Sequence, residues 1–259
     1  MTRLADIASY LYGGFATVQG WCIPHLWQSL WPLSQAVVAA GGEGPVAEIG
    51  VFHGKFFIGL AKTMGASRNN YAIDVFDLQQ FNLDKAGEGN VQRFRENLES
   101  NGIGEAAVRL LRTDSMWLTR ADAERLKDET GGFSMFSVDG CHLAEHTIND
   151  IALAMEVVKP QGVIFVDDYY NADWPGVQEG VAKYYLNSTA RFVPLYFSCN
   201  KLVLCNLSYH KIYLDAVGSF VRKHFPETRV KPVKRFGFDT LTITPKYQSE
   251  DYIVRDGPA

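Results

Sequence analysis

Three carboxylates and one imidazole follow two short apolar runs of this 259-residue sequence. These side chains belong to Asp139, His142, Asp167 and Asp168. The apolar runs, residues 133–138 and 162–166, are typical of buried parallel strands. Because ligands of parallel α/β sheets bind at the carboxyl edge of the strands, we expect the four side chains to share one crevice. Together they are suited to metal binding and to acid/base chemistry.

The pattern along the chain predicts the elements that would position these residues. From residue 46 onward, short β-rich runs alternate with longer segments of helical period, which predicts a parallel sheet with crossover helices. The predicted strands are residues 46–51, 71–76, 108–111, 133–138 and 162–166. The predicted crossover helices are residues 56–64, 90–100, 120–127 and 143–158.

The second half of the chain predicts an antiparallel edge for this sheet. A helix is expected over residues 176–186, and the runs 192–197 and 202–205 then flank a hairpin turn. A further helix to about residue 224 and a strand-like run at 236–243 precede a polar tail.

Size and composition favour one large α/β domain. A chain with 47% hydrophobic residues can bury a substantial core. Its 25 basic and 29 acidic residues give a net charge of -4, so no nucleic acid is expected as a partner. The four cysteines include no Cys-x-x-Cys pair, and no signal-peptide pattern is present. We therefore expect a reduced, cytoplasmic protein.

The first part of the chain is rich in aromatic residues and carries no charge. Asp, Glu, Lys and Arg are absent between Ile7 and Gly42, but glycines and prolines cut this stretch into pieces. Each piece is shorter than the roughly 20 apolar residues that a membrane span needs, so no transmembrane segment is expected. Residues 1–44 are predicted to form a helical cap or an oligomer interface, with membrane-surface contact as the alternative. Residues 45–207 would form the main domain, and 208–259 an extension packed on it.

A glycine-rich turn follows the first predicted strand. Glu48, Gly50 and Gly54 occur in the order acidic-x-Gly-x-x-x-Gly. This spacing differs from Gly-x-Gly-x-x-Gly, so the pyrophosphate cradle of a nicotinamide or flavin fold is incomplete. A carboxylate beside the turn suits a cationic or hydroxyl-bearing ligand instead.

Acidic residues also follow the second and third predicted strands. Asp74 is placed to accept hydrogen bonds from both hydroxyls of a ribose, and Asp114 with Ser115 can reach an adenine edge. Each feature alone also fits a structural turn or a helix N-cap. Their order on successive strands favours a nucleoside ligand.

These motifs resemble those of the class I S-adenosylmethionine-dependent methyltransferases over residues 46–205. Within that superfamily, residues 137–142, 159–168 and 174–177 resemble the bacterial macrocin, mycinamicin and novobiocin-pathway O-methyltransferases. The resemblance implies a Rossmann-like, doubly wound seven-stranded sheet with the last strand antiparallel, and S-adenosyl-L-methionine as cofactor. The cofactor-binding residues that it implies are Glu48, Gly50, Phe52, His53, Gly54, Asp74, Asp114, Ser115 and Asp139.

The sequence departs from the family pattern directly after Gly54. Many relatives have Gly-Ser or Gly-Thr there, whereas this chain has Lys55 and Phe56. This departure puts hydroxyl contacts to the methionine carboxylate in doubt. Helix amides or the Lys55 ammonium would substitute for them.

Methyl transfer to a hydroxyl requires in-line alignment and removal of a proton from a weakly acidic alcohol. A divalent cation on Asp139, Asp167 and Asp168 would lower the pKa of the alcohol, and carboxylate ligands favour Mg²⁺. His142 is predicted to be the general base, since a histidine with a pKa of about 6.5 is mostly neutral near pH 7. The mycinamicin-type relatives are understood to use a histidine in the same Asp-x-x-His arrangement.

Other interpretations of these residues stay open. The aspartates also fit turn or capping positions, and His142 fits an exposed helix start. His142 and His146 are one helical turn apart, and with Asp139 they would form the two-His, one-carboxylate site of an oxygenase.

The sequence thus predicts a metal-dependent O-methyltransferase acting on a hydroxyl of a small molecule. The expected acceptor is a sugar unit of a glycoside, polysaccharide precursor or natural product, packed against Tyr170 and Trp174. One alternative is a catechol-type enzyme acting on an aromatic vicinal diol. The other is a non-catalytic, cofactor-binding scaffold. A homo-oligomer is expected.

Overall fold

The computed structural model describes residues 3–65, 69–187 and 191–254. Nine strands in this part of the chain form one sheet. They are β1 (Val46–Ile49), β2 (Asn70–Asp74), β3 (Val108–Arg112), β4 (Phe133–Val138), β5 (Val158–Val166), β6 (Phe192–Ser198), β7 (Lys201–Asn206), β8 (Arg229–Arg235) and β9 (Phe238–Thr244). Their order across the sheet is β3-β2-β1-β4-β5-β7-β6-β9-β8.

The first seven strands confirm the predicted Rossmann-like arrangement. Strands β1 to β5 pair in parallel, and β7 lies antiparallel between β5 and β6. The β6–β7 hairpin turns at Cys199 and Asn200, where both residues adopt a positive φ. Every strand predicted from residue 46 to residue 205 is present with small shifts at its ends.

Eight helices of the described chain cover the two faces of the sheet. They are α1 (Arg3–Tyr12), α2 (Trp27–Ala39), α3 (Lys55–Met64), α4 (Val91–Ser100), α5 (Arg120–Thr130), α6 (Ala144–Val157), α7 (Pro175–Asn187) and α8 (Leu207–His224). Neighbouring strand residues enter opposite cores, as Met135 and Phe136 do. Helices α1 to α4 and α8 pack on one face and α5 to α7 on the other. This is the doubly wound arrangement expected for a parallel sheet covered on both sides.

The C-terminal extension lengthens the sheet beyond the seven predicted strands. Strand β9 corresponds to the predicted run at 236–243 and pairs in parallel with β6. Strand β8 was not predicted, because its sequence Arg-Val-Lys-Pro-Val-Lys-Arg is basic rather than apolar. As an edge strand, β8 tolerates Pro232, and its charged side chains discourage pairing with other chains.

The charge-free N-terminal stretch folds as short helices packed on the sheet. Trp27 is fully buried and its indole N–H donates to Thr63 Oγ1 at 2.8 Å, which anchors α2 to α3. The C-terminal tail crosses the same region, where backbone carbonyls of Ser249 and Asp251 contact His25 and Gln28. None of the helices in the described ranges has the length and apolarity that a membrane crossing requires.

Candidate active site

Strand register brings the predicted site residues to one edge of the sheet. Val138 of β4 pairs with Val166 of β5, so the residues that follow them, Asp139 and Asp167, stand side by side. The ladder continues past the strand ends, since the backbone N–H of Asp167 donates to the Val138 carbonyl at 3.0 Å. Adjacent parallel strands with acidic tips therefore place their carboxylates in one crevice, as predicted.

A cleft of about 930 Å³ opens at this edge. Its walls come from the glycine-rich turn, the ends of β2 to β5, the start of β7, residues 79–89 and N-terminal residues 20–23. Sites for small molecules usually occupy about 300–1,000 Å³, so this cleft has room for a nucleoside cofactor and an acceptor together.

The glycine-rich turn is shaped by close contact with neighbouring strand ends. Gly50 has φ +81°, and a Cβ at this position would collide with the backbone carbonyl of Asp139. Only glycine therefore allows β1 to turn this close to β4. Phe52 also adopts a positive φ, and its N–H donates to Asp74 Oδ2 at 2.7 Å. The turn and Asp74 thus form one rigid wall of the cleft.

Two titratable side chains in this wall form no ion pair within the described residues. Glu48 is 1% exposed, its Oε2 atom has no hydrogen-bond partner, and burial raises its pKa to about 8. Lys55 lines the cleft at the first turn of α3, with its ammonium 4.6 Å from the Phe15 ring. No carboxylate of the described residues forms an ion pair with Lys55. A carboxyl group and an ammonium in this arrangement fit the amino and carboxylate groups of a methionine moiety.

Asp114 and Ser115, which follow β3, line the same cleft. Asp114 accepts the Met116 N–H at 2.9 Å and so caps a short 3₁₀ turn. Both residues face the cleft as predicted, although the capping contact already gives Asp114 a structural role.

His142, which also lines the cleft, is held between two carboxylates. Its Nδ1 lies 2.7 Å from Asp84 Oδ2, and its Nε2 lies 3.0 Å from Asp168 Oδ2. Asp168 has φ +54° and also accepts the side-chain amides of Asn171 and Asn200 at 2.8 and 2.6 Å. Both ring nitrogens of His142 therefore donate, which requires the imidazolium form.

This environment changes the expected charge of His142. Burial alone would lower its pKa, but hydrogen bonds to Asp168 and Asp84 outweigh burial and raise the pKa to about 9. The interaction with His142 also overcomes burial of Asp84 and holds the pKa of that carboxyl far below its usual range. These contacts favour the imidazolium form of His142 near pH 7, whereas the sequence predicted a mostly neutral ring. Asp168 was expected in the same crevice as His142, whereas no pattern in the sequence marks Asp84.

Asp167 faces away from His142 and contacts a buried lysine. Lys201 is 1% exposed, and its ammonium forms an ion pair with Asp167 Oδ2 and lies 3.9 Å from Asp139 Oδ2. Burial and the nearby Asp167 carboxylate raise the pKa of Asp139, and the Lys201 ammonium opposes this rise. The crevice thus holds more carboxylates than cations.

The donor set fits a hard divalent cation. Asp139, His142 and Asp168 offer ligand atoms that lie within 4.8 Å of one another. Carboxylate oxygens of this kind suit Mg²⁺, and no thiolate accompanies them. Asp167, the third predicted ligand, does not belong to this group of close ligand atoms, and its Oδ2 forms an ion pair with Lys201.

Three other predicted residues do not line the cleft. His53 is 4% exposed and its ring stacks on Phe52, with ring centroids 3.8 Å apart. Gly54 begins α3 with φ +91°, and a Cβ there would collide with Phe94. Tyr170 is 52% exposed and packs against Phe197 instead. These three positions are explained by local packing, and the cleft wall is formed by their neighbours.

Trp174 does line the cleft, and it stacks on the His142 ring at 4.3 Å between centroids. His146 lies on α6, and the group of close ligand atoms in the described chain does not include it. The two-His oxygenase interpretation therefore has no support in the geometry. Asp84 and Lys201 are the site residues that the sequence reasoning missed.

The chain is similar to known methyltransferases in sequence and in fold. Residues 47–169, nearly half of the chain, match the family described as a methyltransferase domain. No curated protein matches the sequence significantly. Among solved structures, the O-methyltransferase NovP matches with a TM-score of 0.55 and 15% identity, covering 70% of this chain and 79% of that chain.

Two further structures are similar at a lower level. CalS11, a TDP-rhamnose 3'-O-methyltransferase of calicheamicin biosynthesis, gives a TM-score of 0.47 and 18% identity, covering 67% of this chain and 75% of that chain. MycE, solved with Mg, SAH and mycinamycin VI, gives a TM-score of 0.44 and 17% identity, covering 63% of this chain and 44% of that chain.

The family match and the structural likeness fall on the same part of the chain. The likeness to NovP shows a shared fold, and the matched segment contains the glycine-rich turn, Asp74 and the acidic ends of β4 and β5. Residues 47–169 thus match a methyltransferase domain, within a fold that the chain shares with NovP.

Proposed function

We propose that this protein is a class I S-adenosylmethionine-dependent methyltransferase, which transfers a methyl group from S-adenosyl-L-methionine to a hydroxyl of a small molecule with the help of a divalent metal ion. The observation that carries this proposal is the position of His142. It lies in the cleft wall, between Asp84 and Asp168 and beside Asp139. A base next to a carboxylate cluster is the arrangement that deprotonation of an alcohol needs.

The cofactor would lie across the ends of β1 to β3. Asp74 is placed for the ribose hydroxyls, and Asp114 with Ser115 for the adenine edge. The buried Glu48 carboxyl suits the methionine ammonium, and Lys55 suits the methionine carboxylate. These contacts would direct the methyl group toward β4 and β5.

The proton of the acceptor hydroxyl would pass to Nε2 of His142. Asp84 accepts the Nδ1–H of the ring and so keeps that nitrogen protonated, which leaves Nε2 as the atom that loses and gains a proton. Before it can act as a base, His142 must lose the proton that it now shares with Asp168. Neutralising the Asp168 charge would lower the pKa of His142 and favour this step.

Asp139 and Asp168 would hold the metal ion, with Mg²⁺ the expected ion. Asp167, now paired with Lys201, would join them once that ion pair opens. When bound there, such an ion supplies positive charge that makes an acceptor hydroxyl more acidic. Its charge would also compensate the excess of carboxylates around His142.

The acceptor would pack near Trp174. Its ring stacks on His142 within the cleft wall, and an aromatic face of this kind suits the apolar face of a sugar ring. We infer an acceptor with a sugar unit, as in glycosides, polysaccharide precursors or natural products. The solved structures of CalS11 and MycE carry names from such pathways.

A panel of acceptors tests this function. Methyl transfer from labelled cofactor should occur to a sugar nucleotide or glycoside and require His142, so His142→Gln should abolish it with cofactor affinity unchanged. Transfer to catechols alone would favour the aromatic-diol alternative. Tight cofactor binding without transfer to any acceptor, with or without Mg²⁺, would favour a binding scaffold.

We also infer the setting of the enzyme. Residues 45–207 would carry the chemistry, and residues 1–44 would cap it, since Gly20 to Ile23 line the cleft. Residues 208–259 would be an extension of the same domain. All four cysteines are free thiols, which fits a reduced cytoplasm. A homo-oligomer stays a prediction of the sequence.

A further inference from the structure

Lys201 lies opposite a predicted metal ligand because of the strand register. In the antiparallel pair β5–β7, Val166 is the partner of Leu202. One step further along the pair, Asp167 faces Lys201, and the two side chains form an ion pair. This position is inside the sheet, where Lys201 is 1% exposed.

The ammonium of Lys201 sits in the gap between two carboxylates. It contacts Asp167 and lies 3.9 Å from Asp139 Oδ2, and it stands 4.3 Å above the Phe56 ring. Asp139 and Asp167 are also two of the three residues proposed to hold the metal ion. The Lys201 ammonium therefore already occupies the space between Asp139 and Asp167.

A buried ammonium and a divalent ion cannot share the same two carboxylates without strong repulsion. Like charges a few ångströms apart in a protein interior repel far more than they do in water. Lys201 also lines the cleft, so its flexible four-carbon side chain has space on that side. The ammonium can thus move away from the gap without unfolding of β7.

We propose that Lys201 is a built-in counter-cation that competes with the divalent metal ion for Asp139 and Asp167. When no metal ion is bound, the ammonium balances the negative charge of the two carboxylates and holds both side chains against the sheet. Metal binding displaces the ammonium into the cleft. This inference rests on the proposed metal site, and it concerns how tightly the site binds the ion.

Titration with Mn²⁺ tests the competition without any acceptor. The free ion is followed by electron paramagnetic resonance in chelator-stripped wild type, Lys201→Met, Lys201→Arg and Lys211→Met. Lys211 pairs with Asp215 on the exposed surface of α8, so its variant controls for loss of a lysine elsewhere. We expect Lys201→Met to bind Mn²⁺ about tenfold more tightly or better, while the other two bind no better than wild type. Equal or weaker binding by Lys201→Met would overturn the proposal.

Amine labelling of the wild type provides a test that does not depend on folding of a variant. Reductive methylation followed by mass spectrometry should modify Lys201 slowly in chelator and faster with saturating Mn²⁺. No change in the rate at Lys201 on saturation, with surface lysines unaffected, would overturn displacement of the ammonium.

The outcomes separate this inference from the proposed function. Mn²⁺ binding by Lys201→Met but not by wild type supports the counter-cation and removes the metal from the wild-type reaction. If wild type binds Mn²⁺ and Lys201→Met binds it no more tightly, the proposed metal site stands. The proposal that Lys201 competes with the metal ion is then overturned. If neither binds Mn²⁺ while both bind S-adenosylhomocysteine, both proposals fail.

Discussion

Asp84 and His142 are joined twice through one carboxylate oxygen. Asp84 Oδ2 accepts the backbone N–H of His142 at 2.7 Å and lies 2.7 Å from Nδ1 of its ring. Both side chains are less than 10% exposed. This pair ties the loop after β2 to the tip of β4 and fixes the orientation of the imidazole.

Replacing Asp84 should therefore impair chemistry more than cofactor binding. We expect Asp84→Asn to lower turnover about 10- to 100-fold, as is typical when the partner of a functional histidine is lost. Affinity for S-adenosylhomocysteine should change little. Asp77→Asn is the control, because Asp77 forms an ion pair with Arg112 that is exposed to solvent. Normal turnover in Asp84→Asn would show that the pair does not orient the base.

The raised pKa of His142 predicts how the stability of the metal-free protein depends on pH. A folded-state pKa of about 9 against an ordinary value of 6.5 means that the protonated ring stabilises the fold. This contribution is complete below pH 6.5 and is lost as the pH rises toward 9. The gap in unfolding free energy between wild type and His142→Gln should shrink by about 3 kcal/mol over that interval.

Chemical denaturation in chelator at pH 6 and pH 9 measures this gap. Proton NMR of the His142 ring gives the pKa directly and should show a fall when Mg²⁺ is added. A gap that grows with pH, or a ring that titrates near pH 6.5 in chelator, would contradict the described hydrogen bonds.

The close approach at Gly50 predicts a sharp effect of one added methyl group. Gly50→Ala would force the glycine-rich turn away from the Asp139 carbonyl, so cofactor binding should be lost and stability reduced. Gly102→Ala is a matched control, since Gly102 also has a positive φ but has no atom near the position of a Cβ. Calorimetry with S-adenosylhomocysteine separates the two. Similar losses of cofactor affinity and stability in both variants would show that backbone strain, and not the contact with the Asp139 carbonyl, causes the effect.

The Lys55 ammonium, which lines the cleft and forms no ion pair with a carboxylate of the described residues, predicts a role in cofactor affinity. Lys55→Met should weaken binding of S-adenosylhomocysteine about tenfold, or about 1.4 kcal/mol, because a carboxylate contact is lost. Lys55→Arg should retain most of the affinity. Lys62→Met, in the last turn of the same helix, should leave affinity unchanged. Unaltered binding by Lys55→Met would indicate that the backbone amides of α3, and not Lys55, bind the methionine carboxylate.

Much of the site was predictable because strand ends are local features of the sequence. Asp139 and Asp167 each follow an apolar run, and parallel strands necessarily bring such tips together. Asp84 was not predictable, since it lies in a loop whose path is set by contacts distant in sequence. No periodicity marks such a residue.

Lys201 carried a signal that was overlooked. It directly precedes the apolar run Leu202 to Cys205, and a lysine at a buried strand end needs a carboxylate partner. The register of the antiparallel pair β5–β7 then places Asp167 opposite Lys201. Strand β8 carried no such signal, because its basic residues suit an edge that is exposed to solvent. His53 and Tyr170 lie near the right strand ends, but their packing turns them away from the cleft.

The most direct test of the proposed site is calorimetric titration of chelator-stripped protein with S-adenosylhomocysteine and then with Mg²⁺. Wild type is compared with Asp139→Asn, which removes one carboxylate from the cluster. We predict micromolar cofactor binding in both proteins and a Mg²⁺ response that is lost in the variant. Cofactor binding with no Mg²⁺ response in wild type would contradict a metal-dependent reaction, and no cofactor binding in wild type would contradict the methyltransferase assignment itself.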